Sequence, residues 1–94
     1  MVRVLIERWL REGADDVFVH EMRGMRGGAL GWRGYVSGET WRDAANPRHV
    51  VVLSTWHTRS DWDAWEISEA RARALSAIRP LLTAGEKVTV LEPL

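Results

Sequence analysis

Apolar and polar positions alternate over Val2 to Trp9 (V-R-V-L-I-E-R-W), where β-branched residues are common and Arg3 and Glu7 share one parity, so this stretch predicts a first strand. Glu12-Gly13 interrupts it. Asp15 and Asp16 then supply acids suited to the positive end of a helix dipole, and Ala14, Val17, Phe18, Met22 and Met25 recur at helical spacing. That face predicts a helix closing in the glycines Gly24, Gly27, Gly28 and Gly31. Tyr35 to Arg42 returns to a period of two, with Tyr35, Ser37, Glu39 and Trp41 on one side. After a turn at Asn46-Pro47, His49 to His57 (H-V-V-V-L-S-T-W-H) is apolar on both faces at its start, as expected of a hairpin partner covered on both sides.

Ser60, with Asp63 three residues on, has the spacing of a helix cap. The helix it predicts carries Ile67, Ala70, Ala74, Leu75, Ile78 and Leu81 inward and leaves Arg71, Arg73 and Arg79 to solvent, with a bend or restart at Ser68-Glu69 and an end or kink at Pro80. Lys87 to Glu92 is the last strand. Strand, helix, strand, strand, helix, strand is the βαββαβ order of an α+β, ferredoxin-like fold, and it fills residues 1–94 as one domain. Such a fold covers one sheet face with helices. Val50 and Val52 on one side and Val51 and Leu53 on the other cannot both be served by one helical layer, so a second copy is expected on the free face, making a homodimer.

Composition narrows the partners. Thirteen Lys plus Arg balance thirteen Asp plus Glu, leaving no overall field to attract nucleic acid or anionic lipid. With no cysteine there is no disulfide and no thiolate ligand, which suits a reducing cytoplasm. Val2 to Ile6 is too short and too charged for a signal peptide, and no run reaches the roughly 20 apolar residues of a membrane span. A cytoplasmic protein without nucleic-acid or membrane partners is expected.

Candidate chemistry gathers in S-T-W-H-T-R-S-D-W-D-A-W, Ser54 to Trp65. Trp56, Trp62 and Trp65 can fill the gap between sheet and helix, or wall a pocket on which a flat ligand stacks. His57 ends its strand beside Trp56, and imidazole is the common general base near neutral pH. Glu7, Arg8, Tyr35 and Glu39 are strand residues that could turn into the same gap, where each would need a partner if buried. His49 and His57 stand eight apart on one strand, roughly 26 Å, too far to share an ion. His20, near Asp16 and Glu21, is a weak surface pattern, so no metal is expected. The serines lack a G-x-S-x-G elbow, and neither G-x-G-x-x-G after a strand nor G-K-[ST] occurs, so no nucleotide cofactor is expected.

The opening V-L-I-E-R-W-L-R-E-G, the central G-Y-V-S-G-E-T-W-R-D-A-A-N-P-R-H-V-V-V-L-S-T-W, the following S-D-W-D-A-W-E-I-S-E-A-R and the closing E-K-V-T-V-L-E-P resemble the antibiotic biosynthesis monooxygenase (ABM) family. The likeness covers nearly the whole chain apart from Gly24 to Arg33. It implies a homodimeric α/β barrel with a pocket between each sheet and its own helices, and either cofactor-independent oxidation of phenols to quinones or haem breakdown. Of the haem-degrading branch, the helical tryptophan falls on Trp65, the catalytic Asn on Ile6 or Glu7, and the axial His on Leu75, which leaves an iron without a protein ligand. The expectation is therefore a cofactor-independent monooxygenase of a small aromatic. Trp65, Trp56 and Trp62 would be its wall, His57 or Glu7 its base, and Tyr35 or Arg8 its hydrogen-bond donor. The alternatives are a non-catalytic dimeric ligand-binding module and, third, a haem-binding or haem-degrading protein.

Overall fold

Successive side chains of a strand point to opposite faces, so the first strand sorts Val2, Val4, Ile6 and Arg8 from Arg3, Leu5, Glu7 and Trp9. In the computed structural model, which describes residues 1–94, the elements run β1 (Val2–Trp9), α1 (Asp15–Leu30), β2 (Tyr35–Arg42), β3 (His49–Trp56), α2 (Arg59–Glu66), α3 (Glu69–Ile78), a 3-10 turn (Arg79–Leu81) and β4 (Lys87–Leu91). The four strands pair antiparallel in the order β2-β3-β1-β4, which is the ferredoxin-like α+β fold. Helices cover the face of Val4, Ile6, Val50 and Trp56, and Phe18, Met25, Leu75 and Ile78 close the core from the helical side.

Three departures from the sequence pattern shape this core. First, α1 does not stop at its glycines but runs through Gly24, Gly27 and Gly28 to Leu30. Its buried face, Phe18, Met25 and Ala29 with half-buried Met22, continues past them, and packing outweighs propensity. Val17 lies off that face, 52% exposed. Second, a β-bulge between Tyr35 and Ser37 sets Tyr35 opposite Trp56 while Ser37 pairs with Thr55. One extra residue reverses parity, so Tyr35 faces the helices and Ser37, Glu39 and Trp41 face away.

Third, the restart expected at Ser68-Glu69 divides the helical stretch after β3 into two helices, with a first cap and a register that differ from the pattern. Thr58, not Ser60, caps α2: its hydroxyl accepts from the Asp61 amide at 3.1 Å and donates to Asp61 Oδ2 at 2.9 Å. Ser68 caps α3, accepting from the Arg71 amide at 3.1 Å and donating to the Trp65 carbonyl at 2.7 Å. The break resets the helical register. Ile67 is thrown out to solvent at 86% exposure, and Arg71, expected on the surface, turns inward on the same face as Leu75 and Ile78.

The second sheet face has no cover in this chain. Leu5 sits between Leu53 and Thr89, and Val51 between Glu7 and Trp41, whose indole is 60% exposed. No helix is long and apolar enough to cross a membrane.

Glycines report on both helix and turn. At Gly24 and Gly27 a Cβ would meet open space, whereas Gly34 holds φ +83° and a Cβ there would run into the Asp61 side chain. Gly34 also accepts the His57 amide at 2.8 Å, tying the start of β2 to the end of β3. Gly24→Ala and Gly27→Ala should each raise unfolding stability in urea by about 0.5–1 kcal/mol, and Gly34→Ala should lower it by more than about 1 kcal/mol.

Candidate active site

The cluster is built outward from Trp56, which β3 points at the helices and whose Nε1 donates to Ser54 Oγ at 3.1 Å. Trp62 and Trp65 stand three apart on α2, so both reach the same side of that helix. Their rings lie 5.7 Å and 6.3 Å from that of Trp56, at 67° and 28°, and Tyr35 meets it edge-on at 5.3 Å. All three indoles are buried. Much of the function of these residues is therefore packing.

They nonetheless leave a gap. A cavity of about 50 Å³ lies among Tyr35, Trp56, Trp62, Trp65, Met22 and Arg71. An apolar cavity of about 150 Å³ admits benzene, so this one alone is too small for an aromatic ring. It adjoins a groove of about 380 Å³ between α1 and the β2–β3 hairpin, with Met22, Arg26 and Thr40 lining both and Arg23 and Arg42 lining the groove. Met22 and Met25, both at the inner cavity, are unbranched and adaptable. Gly38 leaves the space its side chain would need to the Tyr35 hydroxyl. Burial pushes the Tyr35 phenol up, with Arg26 partly opposing, so it stays a protonated donor.

Below the cavity lies a buried ion group. Arg8 is only 1% exposed; its Nε and Nη2 reach Glu86 Oε2 at 3.0 Å and 2.9 Å, and its other contacts are the sulfurs of Met22 at 3.4 Å and Met25 at 3.9 Å. Arg71, 5% exposed, donates from Nη2 to Glu86 Oε1 at 2.6 Å and lies over the Trp62 ring at 5.5 Å. Burial alone would raise the Glu86 carboxyl, but the two guanidiniums reverse this and hold it below the ordinary range. Desolvation lowers Arg8, and Glu86 opposes that. Arg71 Nε is the only buried side-chain nitrogen or oxygen without a hydrogen-bond partner.

Of the residues singled out in the sequence, Trp56, Trp62, Trp65 and Tyr35 come together around the cavity. Arg8 lies deeper, held by Glu86. Glu7 is on the opposite sheet face, its Oε1 3.2 Å from His49 Nε2, while His49 Nδ1 meets Asp43 Oδ2 at 2.9 Å and the ring stacks on Trp9 at 5.0 Å. The Asp43 hydrogen bond, with Glu7 assisting and burial opposing, raises His49 above its ordinary value. Glu39 also faces that side and accepts from Trp41 Nε1 at 2.8 Å. His57 is exposed at the end of β3.

Arg71 and Glu86 were given no site role from sequence. One signal for Arg71 was present: it stands four before Leu75 and seven before Ile78, on their face. Arg8, sharing parity with Val4 and Ile6, likewise implies a buried carboxylate somewhere without saying which.

Removing Glu86 strands two buried cations, so Glu86→Gln should cost about 3–5 kcal/mol in urea unfolding at neutral pH. Arg71→Leu should cost far less, because it leaves the Arg8–Glu86 pair neutral. The folded-state pKa of Glu86 is depressed, so its contribution is fully present above the ordinary 4.5 and fades as pH falls through the lowered value. The stability gap between wild type and Glu86→Gln should therefore shrink on acidification below that point.

The model of the antibiotic biosynthesis monooxygenase family matches residues 1–77. No curated protein matches the chain by sequence. Among solved structures, the chain is similar to an antibiotic biosynthesis monooxygenase at 17% identity and a TM-score of 0.88, covering 100% of this chain and 99% of that one. It is similar to Rv0793 from Mycobacterium tuberculosis at 22% identity and a TM-score of 0.86, covering 99% and 94% of the two chains. SnoaB, a cofactor-independent oxygenase from Streptomyces nogalater, follows at 14% identity and a TM-score of 0.84, covering 98% and 92%. These identities speak to fold alone. The family match spans most of the sequence, including the strands and the helix that carry Tyr35, Trp56, Trp62 and Trp65, and on that ground the chain belongs to the antibiotic biosynthesis monooxygenase family.

Proposed function

We propose that this protein is a cofactor-independent monooxygenase that oxidises a small, electron-rich aromatic of the phenol or hydroquinone type in the gap between sheet and helices. The observation that carries this is the cavity walled by Trp56, Trp62, Trp65 and Tyr35, adjoining the groove at Met22, in a member of this family. The likeness to SnoaB, a cofactor-independent oxygenase, supports it.

The chemistry asks little of the protein. The ionised ring oxygen of the substrate passes an electron to dioxygen, the two radicals join as a peroxide at a ring carbon, and the peroxide takes up the proton the phenol gave up. Its O–O bond then breaks, and the hydroxide released leaves with that carbon's proton as one water, giving a quinone. Phenol plus dioxygen thus becomes quinone plus water. Indole walls exclude bulk water from the reacting ring, and the Tyr35 hydroxyl donates to oxygen as charge develops on it. A ring enters from the groove, and Met22 and Met25 swing aside to enlarge the inner cavity. His57 and Glu7 are assigned no part.

The 50 Å³ volume of the inner cavity favours a second possibility, a non-catalytic module that holds a small ligand. The uncovered sheet face supports a further assignment. Leu5, Val51, Leu53 and Trp41 form an apolar surface with nothing in this chain to shield it, and a second copy packing the same surface against it makes a homodimer.

Three measurements check these assignments. Oxygen uptake with anthrone or hydroquinone substrates, in chelator-treated protein without added flavin, should be enzyme-dependent and should fall about ten-fold or more in Trp65→Ala. Quenching of tryptophan fluorescence by the same compounds without uptake would favour the ligand-binding module. Light scattering should give twice the 10.7 kDa chain mass, and Leu53→Arg should return the single-chain mass. A wild-type monomer at micromolar concentration would contradict the dimer.

A further inference from the structure

We propose that the cavity recognises its ligand as an anion, with Arg71 Nε as the donor that receives the ligand's charged oxygen. The assignment deepens the one above and rests on that cavity being the binding site.

The ion group beneath the cavity does not balance. Arg8 and Arg71 bring two guanidinium charges and Glu86 a single carboxylate, so one positive charge is left over in a place almost closed to water. Both oxygens of Glu86 are already engaged, Oε2 by Arg8 and Oε1 by Arg71 Nη2. The Nε–H of Arg71 faces no acceptor at all, in a side chain that lines the cavity. A buried donor without a partner costs about 1–3 kcal/mol and more when it is charged, so a native structure that keeps one usually has a use for it.

The approach to this donor has the same sign. Arg26 lines both cavity and groove, Arg23 and Arg42 line the groove, and no Asp or Glu lines either. Of these, Arg42 lies 3.5 Å from Asp15 and Arg26 donates to the Gly38 carbonyl at 3.1 Å. In a chain whose charges sum to zero, Arg23 and Arg26, which no carboxylate pairs, lead to the surplus charge at Arg71 and make a local separation of charge that draws anions inward. The Trp62 ring under the Arg71 guanidinium fixes its plane. An aromatic carrying a carboxylate or an ionised phenol, its oxygen on Arg71 and its ring against the indoles, satisfies both halves of the site.

The test uses benzoate and its neutral isostere benzamide as probes, with binding to the full chain measured by calorimetry. Benzoate should bind about ten-fold more tightly than benzamide, as a charge-assisted hydrogen bond replaces a neutral one. Arg71→Leu, with folding verified by circular dichroism, should bind the two equally. Arg71→Lys, which keeps the charge without the Nε donor, should fall between. Equal affinities in the wild type, undiminished preference in Arg71→Leu, or no benzoate binding at millimolar concentration would each overturn the proposal. Neither probe is oxidised by the route above, so the two assignments fail separately. Absent oxygen uptake leaves anion recognition standing, and absent benzoate preference leaves an oxygenase that holds its substrate without Arg71.

Discussion

One carboxylate in the interior serves two arginines, and much else follows from that arrangement. Glu86 enters from the loop before β4, Arg8 from β1 and Arg71 from α3, so a single group joins the sheet's centre, its edge and the helical layer. Taking three ions out of water is expensive, and their mutual attraction offsets this only when the geometry is good and the remaining polar atoms are satisfied. Here the distances are short and all but one of those atoms are satisfied. The exception, Arg71 Nε, belongs to a side chain that lines the cavity.

The aromatic cluster and the ion group depend on each other. Trp62 is packed between Trp56 and the Arg71 guanidinium, so the ring that helps close the cavity also holds the cation in place. Trp56 in turn is fixed by Ser54 and flanked by Tyr35, whose position comes from the bulge after it. The result is a recess apolar on its indole side and cationic on its arginine side. The other sheet face has a different character: Leu5, Val51 and Leu53 run across it, with Glu7, His49 and Asp43 tied to one another at its border.

The fold was largely legible in the sequence because its signals are local. Period-two alternation marked β1 and β2 at their observed limits, a run apolar on both faces marked β3 to within a residue, and the ferredoxin-like fold followed from the βαββαβ succession. The tryptophans around the cavity were legible for a similar reason: Trp56 ends an inward strand, and Trp62 and Trp65 share a helix face. What escaped depended on register. A one-residue bulge moved Tyr35 across the sheet relative to the alternation that placed it with Ser37 and Glu39. A one-residue cap at Ser68 rotated α3 relative to α2, turning Ile67 out and Arg71 in, although charge alone argues for the reverse. Glu7 could be assigned to either face until its pairing with Val51 and its contact with His49 were seen. Glu86 had no periodic pattern to reveal it, since it sits in a loop and its role is set by two residues 78 and 15 positions away.

The most direct test of a cavity built around a surplus buried charge is a crystal structure of the protein soaked with benzoate. The account predicts the carboxylate at hydrogen-bond distance from Arg71 Nε with the ring among Trp56, Trp62 and Trp65, and the Arg8–Glu86 contact intact. A benzoate held only at Arg23 and Arg42 in the outer groove, with Arg71 Nε bonded to an acceptor of the chain itself, would contradict it.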